Sequence, residues 1–331
     1  MTEESNLIER ILDRIPSRAW SVRRAGLRTG AGDDAAIVRP PRGVEWVLTC
    51  DAFLEDVHFL ADVHPPEAVG YKALARATSD LAAMGAVPRL FLLSLALPAR
   101  RAARWLDEFL GGMAHAARRF GLVLAGGDTA RNRTIAISVT LVGEVAPDRA
   151  VLRSGARPGD LLYVSGRPGS AELGLLLVLR GWYRQRRSKP LLRPHLYPPL
   201  RLALGEWLAR ERLASAMIDT SDGLSTDLAH LCEASGVGAR LWADRIPVVR
   251  VPSAFAKRGL DSLRLALHGG EDYELLFTVP QRRRRRIPKI YRGVSLAPIG
   301  VVTQDQRKLL VWPDGRTEKL APRGWDHFRK R

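Results

Sequence analysis

The longest apolar run in the chain, LFLLSLALP from Leu90 to Pro98, has the length of a β-strand, and that limit sets the class of fold. A membrane-spanning helix needs about 20 apolar residues in succession, so no span is expected. Short apolar runs instead alternate with helix-period patterns. Helices are expected near 5–15, 66–84, 99–120, 170–179 and 200–210, and strands near 44–51, 90–96, 122–125, 135–145, 216–219, 239–242 and 274–279. Such alternation builds layered, mixed α/β domains. At 331 residues the chain exceeds one ordinary domain. The Gly- and Pro-rich segment RSGARPGD (Arg153–Asp160) reads as a linker and turn, which gives expected domains at 1–148 and 149–331.

With 46% hydrophobic and 26% charged residues, the composition is that of a soluble globular protein rather than a disordered one. The acidic, helix-patterned start MTEESNLIERILDRI does not look like a secretory signal, so a cytoplasmic location is expected. Cys50 and Cys232 are too few for a disulfide framework or a thiolate metal cluster. The formal charge is +17, mostly from arginine, and includes the run Arg282–Arg286. Such a balance attracts RNA, membrane surfaces or small polyanions such as nucleotides. No aromatic residue interleaves with the run, which favours a solvated helix face over a nucleic-acid interface.

Against this basic background the scarce acids are concentrated. GDDAAIV (Gly32–Val38), TCDAFLEDVHF (Thr49–Phe59), ATSDLAAMG (Ala77–Gly85), AGGDTAR (Ala125–Arg131) and IDTSDGLSTDL (Ile218–Leu228) place aspartates at expected junctions of strand and loop. Carboxylates at strand ends project into a crevice rather than a core. Converging carboxylates repel one another unless cations sit between them. An oxygen-only set selects a hard cation, and Mg²⁺ is the usual choice beside phosphate. Gly126-Gly127, Gly223 and Gly269-Gly270 let backbone N–H groups approach an anion closely. Any one aspartate alone is as well explained by a helix N-cap (Asp80, Asp128, Asp222) or an Asx turn (Asp33, Asp34). Together, carboxylates and glycine-lined anion sites describe a metal–nucleotide site, although no GxxxxGK[ST] and no kinase HRD or DFG set is present.

These motifs, with YKALARATSDLAAMGAVP, LRSGARPGD, GGEDYELLFTVP and the C-terminal GWDHF, closely resemble the thiamine-monophosphate kinase family of the aminoimidazole ribonucleotide synthetase-like superfamily. The resemblance spans nearly the whole chain and keeps the family's motif order. It implies an α/β fold of two mixed domains, the first paired into a dimeric β-barrel, and ATP-dependent phosphorylation of thiamine monophosphate to thiamine diphosphate. It also implies, for the domain at 1–148, ATP and Mg²⁺ binding and dimerisation; the domain at 149–331 completes the nucleotide and substrate site. Asp34, Asp51, Asp80, Asp128, Asp219 and Asp222 match magnesium positions, with Thr49 and Cys50 flanking Asp51. A thiol is a poor Mg²⁺ ligand, so a contact at Cys50 is expected through its carbonyl. Gly127, Arg153 and Ser221 match nucleotide positions, and His58, Glu271 and Trp325 match those holding the thiamine phosphate. Trp325 replaces a frequent tyrosine and keeps its aromatic face. Tyr71 and Lys72 are expected to be helix surface and packing residues rather than ligands, and Asp227 a helix-surface residue. No covalent nucleophile or general base is expected. The rivals are a selenophosphate synthetase-like or hydrogenase-maturation-like enzyme of the same superfamily, whose characteristic cysteines are absent here, or a basic RNA-binding protein on this scaffold.

Overall fold

The computed structural model describes residues 3–15, 19–30 and 35–325, which cluster into two compact units. Unit 1 comprises Met1–Leu81 and Ala86–Asp148, and unit 2 comprises Ala82–Gly85 and Arg149–Arg331. Unit 1 runs α1 (Glu3–Arg14), α2 (Ala19–Arg24), β1 (Leu27–Thr29), β2 (Ile37–Val38), β3 (Glu45–Leu54), α3 (Pro66–Ala83), β4 (Val87–Leu97), α4 (Arg104–Phe120), β5 (Val123–Arg131) and β6 (Ala136–Val145). Its main sheet has the order β3-β6-β4-β5, antiparallel except for the parallel β4/β5 pair. Burial alternates strictly along β6, so Ile137, Val139 and Leu141 enter the core while Ser138, Thr140 and Val142 turn to the other face.

The helices of unit 1 press closely together where α3 crosses α4. A Cβ added at Gly70 would lie 1.9 Å from the Phe109 carbonyl oxygen, and one at Gly112 would lie 1.9 Å from that of Glu67. The two helix backbones therefore touch, and only glycine fits at either point.

Unit 2 continues with β7 (Leu161–Ser165), α5 (Ser170–Leu179), α6 (Lys189–Leu196), α7 (Leu202–Arg210), β8 (Ala216–Asp219), α8 (Leu224–Ser235), β9 (Gly238–Trp242), α9 (Ser253–Ala256), α10 (Ser262–His268), β10 (Leu275–Val279), β11 (Ile290–Tyr291), β12 (Val294–Thr303), β13 (Lys308–Val311) and β14 (Thr317–Lys319). The sheet order is β14-β13-β9-β12-β7-β10-β8, with β11 beside β12. Leu162, Val164, Ala216, Ile218 and Leu276 pack with Leu224, Leu228 and Leu231 of α8. Tyr163, Met217, Leu275 and Phe277 pack with Leu204 and Leu208 of α7. Both faces of the central strands are thus covered, which is why LLYVS, AMID and LLFTV read as continuous apolar runs.

The arginine run is not a long helix face. Gln281–Arg286 forms a 3₁₀ helix, in which Arg283 donates to the Arg212 carbonyl and Arg286 pairs with Glu211 at 3.0 Å. Among the described residues no helix is long and apolar enough to cross a membrane.

The α3/α4 crossing gives a test with opposite signs at adjacent residues. Gly112→Ala is expected to lose about 2 kcal/mol or more through overpacking. Gly111 is exposed and has nothing within 4 Å of an added Cβ, so Gly111→Ala should gain about 0.5–1 kcal/mol of helix propensity. Urea-unfolding midpoints on either side of the parent would bear this out; a Gly112→Ala midpoint at or above the parent's would refute the backbone contact.

Candidate functional site

In unit 1, strand alternation sorts the flagged residues onto two faces. Thr49 and Asp51 share the partly buried side of β3 with buried Phe53, whereas exposed Cys50 points the other way. Thr49 Oγ1 donates to Asp80 Oδ2 at 2.5 Å. Arg76 Nε donates to Asp51 Oδ2 at 3.1 Å, and its guanidinium lies 5.1 Å from the Phe53 ring centre. Arg76 and Asp80 are four apart on α3 and so share a helix face, a spacing visible in the sequence. Asp80 lies near the end of α3 and Asp128 within β5, so neither is an N-cap, and Asp51, Asp80 and Asp128 all sit inside regular elements rather than at strand–loop junctions.

Asp128 is not brought to that group. It lies on β5, paired with Ser94 of β4; β5 is the opposite edge of the sheet from β3, so three strand spacings, about 14 Å, intervene. With Gly126, Gly127, Ser94 and Thr140 it lines a cavity of about 980 Å³. The Cys50 thiol lies on that side too, 3.5 Å from Ser138 Oγ and 3.4 Å from Thr140 Oγ1. A Cβ at Gly127 would meet the Leu93 carbonyl oxygen at 2.0 Å, so this strand position excludes a side chain. Asp34 lies outside the described residues. His58 follows β3, and its Nδ1 accepts the Leu54 N–H at 3.0 Å, which fixes the neutral tautomer with the proton on Nε2. Tyr71 and Lys72, expected at the helix surface or in packing, are both 2% exposed and therefore buried.

In unit 2 the residues converge. Asp219 ends β8 inside the core, 2% exposed, and the loop Thr220–Gly223 leads into α8. That loop is laced to the GGEDYE loop: Thr220 N–H donates to Glu274 O at 2.8 Å, Tyr273 N–H to Thr220 O at 3.0 Å, and Glu271 N–H to Ser221 O at 2.7 Å. The C-terminal segment closes the cluster, since Trp325 N–H donates to Asp222 O at 3.0 Å. Glu271 and Tyr273 adopt φ of 65° and 51°, a left-handed conformation costly for side-chain-bearing residues and concentrated at functional sites. Asp219, Ser221, Asp222, Glu271 and Trp325 thus form one constellation. Arg153 is exposed on a segment tied to the edge of β8 through the bond from Met217 N–H to Leu152 O.

Asp227 corrects the sequence expectation. It is 1% exposed, and its Oδ2 accepts the Gly223 N–H at 3.0 Å, holding the turn that carries Asp222. Burial, with the charges of Asp219 and Asp222, pushes its carboxyl upward. Further acids, buried Asp272 and half-buried Glu172, surround the loop. Asp272 accepts from Gly169 and Ala171 N–H at the start of α5, and burial raises its carboxyl to about 8. Glu172 is raised to about 7 by burial and the Glu271 charge. Among the described residues no three His, Cys, Asp or Glu side chains converge as a ready-made metal centre. The acidic and hydroxyl side chains in these loops offer oxygen only, which would suit a hard cation such as Mg²⁺.

Two tests follow. Asp227→Ala leaves the Gly223 N–H without its acceptor and should cost about 1–3 kcal/mol, whereas Asp227→Asn keeps an acceptor and should cost less; equal thermal midpoints for the two would remove that role. Glu172 titrates higher folded than unfolded, so the native protein retains a proton the unfolded chain has released, and stability falls as pH rises from about 4.5 to about 7. Glu172→Gln should therefore be more stable than the parent above pH 7, by about 2–3 kcal/mol, and lose that advantage toward pH 4.5. A difference independent of pH in thermal scans would contradict the burial of this carboxyl.

The chain matches two family models: AIR synthase related protein, N-terminal domain, over residues 32–145, and AIR synthase related protein, C-terminal domain, over residues 157–313. It is 37% identical over 329 residues to the thiamine-monophosphate kinase of Salmonella typhimurium strain LT2, covering 98% of each chain. The crystal structure of thiamine-monophosphate kinase from Stenotrophomonas maltophilia K279a aligns with a TM-score of 0.79 at 33% identity, over 94% of this chain and 96% of that one. A structure of AaThiL complexed with AMPPCP and TMP aligns with a TM-score of 0.77 at 33% identity, over 98% and 97%.

Proposed function

Because the chain belongs to the AIR synthase related proteins, and within them to the thiamine-monophosphate kinase family, we propose that the acid loops described above serve phosphoryl transfer from ATP to thiamine monophosphate, giving thiamine diphosphate and ADP. The observation that carries the reading is the convergence of Asp219, Ser221, Asp222, Glu271 and Trp325 on two loops joined backbone to backbone.

Asp51, Asp80 with Thr49, Asp128, Asp219 and Asp222 are the proposed Mg²⁺ donors, joined by the Cys50 carbonyl and by Asp34. Bound Mg²⁺ supplies neutralisation of charge on the transferring phosphoryl group. Gly127 gives the nucleotide close approach to the backbone, Ser221 offers a hydroxyl, and Arg153 offers a planar fork matched to phosphate. The cavity beside Gly127 and Asp128, at about 980 Å³, has the size of a small-molecule site. His58 is the proposed contact to the acceptor phosphate, Glu271 offers a negative charge to the cationic ring, and Trp325 an aromatic face. The acceptor phosphate has a second pKa near 6 and is largely ionised at neutral pH, so it attacks in line without a strong general base. Neither a phosphoenzyme nor a covalent nucleophile is part of this reading.

A homodimer belongs to the same proposal. Trp46 and Leu48 are 40% and 63% exposed on β3 of unit 1, an apolar surface that pairing with a second copy would cover. We also place the reaction in the cytoplasm.

The deciding assay supplies ATP and Mg²⁺ with thiamine monophosphate, free thiamine or an aminoimidazole precursor and identifies products by mass. Thiamine diphosphate and ADP should form from the monophosphate alone. Asp51→Asn and Asp222→Asn should fold as the parent does and lose about 10²-fold or more in kcat. Unchanged turnover at saturating Mg²⁺ would discard those two assignments and leave the reaction standing.

A further inference from the structure

Glu271 is held from three sides. Its backbone is pinned by the 2.7 Å bond to Ser221 O at a φ of 65°. Glu172, on α5, lies near enough that the Glu271 charge adds to burial in raising its carboxyl to about 7. On the third side stands His195 of α6, whose side chain is 0% exposed and whose Nδ1 lies 3.2 Å from Glu271 Oε2. The Glu271 side chain itself is 19% exposed, so the carboxylate reaches solvent while the imidazole does not.

The imidazole reaches this place by a specific packing arrangement. α5 and α6 meet at Gly174, where an added Cβ would lie 2.7 Å from the His195 Cβ. α6 can approach closely enough to carry the ring to Glu271 only because position 174 has no side chain. A buried polar pair is often no more stabilising than a pair of apolar residues of similar volume. What it does supply is direction: a donor on one oxygen fixes the carboxylate plane.

We propose that His195 is a positioning residue for substrate: it orients the Glu271 carboxylate toward the cationic heteroaromatic ring of thiamine monophosphate and so sets affinity for that substrate rather than for nucleotide. The inference rests on the reading of Glu271 as a substrate contact. His195 itself touches neither substrate nor metal.

The test compares two variants of similar volume in the full chain, measuring KM separately for thiamine monophosphate and for ATP. His195→Leu fills the space without a donor, and KM for thiamine monophosphate should rise about tenfold or more, with KM for ATP and kcat within about twofold. His195→Asn places an amide donor near the Nδ1 position and should restore most of the affinity. Glu271→Gln alone should raise the same KM, and the double variant with His195→Leu should add little, because contacting residues are not additive. If Leu and Asn behave alike, or if both KM values and kcat move together, His195 is only a packing residue and the proposal falls. If Glu271→Gln raises KM but His195→Leu does not, the positioning role fails while the substrate reading survives. An unchanged KM in Glu271→Gln overturns both.

Discussion

Three backbone hydrogen bonds between the Thr220–Gly223 loop and the GGEDYE loop hold unit 2's acids together against their own repulsion. Like charges at a few ångströms repel strongly where water is excluded, and side-chain contacts alone would let the loops part. The backbone bonds do not depend on the charge state of the side chains. They connect the end of β8 with the start of β10, neighbours already paired in the sheet through Leu275 and Asp219. The aspartates are therefore extensions of a ladder whose other strands are buried on both faces. Rigidity at the site is inherited from the core.

The cost of that arrangement appears in the surrounding acids. Asp227 and Asp272 are turned inward and used as acceptors for backbone N–H groups at the Gly223 turn and at the start of α5. Glu274 is bound by Arg201 and Ser165. Each group is satisfied by a fixed partner, which is the condition for keeping a polar side chain out of water. Unit 1 faces the same problem. There Arg76 sits against Asp51 while stacked near Phe53, and Asp80 is bridged by a neutral hydroxyl from Thr49. Cation and hydroxyl partners thus serve Asp51 and Asp80 in unit 1 and Glu274 in unit 2, whereas Asp227 and Asp272 are held by backbone N–H groups.

Much of this was legible in the sequence. Regular elements with clear periods, such as α3, α5, β6 and β8, were placed to within a few residues. The misses have definite causes. α6 carries Pro190 and Pro194, and proline reads as a helix breaker although the start of a helix tolerates it. β12 contains Pro298 and a register irregularity before Gly300, so its alternation is broken. Asp227 was read as surface because a carboxylate on a short helix normally is; its partner, a backbone N–H four residues earlier, carries no side-chain signature. His195 carries no local signal either, because its side-chain partner Glu271 lies 76 positions away in sequence. Motif reading finds the residues that meet a ligand more readily than the residues that hold them.

That asymmetry follows from the chemistry the site is asked to perform. When the acceptor is already an anion, there is little for a catalytic base to do, and the barrier lies in bringing two polyanions together in line. A basic surface, here at +17, raises the local concentration of polyanions without ordering them. Ordering requires carboxylates whose positions do not relax when charge arrives. The left-handed φ values at Glu271 and Tyr273 cost about 1–3 kcal/mol each, and they persist because the flanking sheet and the bonds to Ser221 and Thr220 over-determine them. Selection for such a site therefore acts on glycines, buried acids and backbone partners as strongly as on the side chains that meet the substrate.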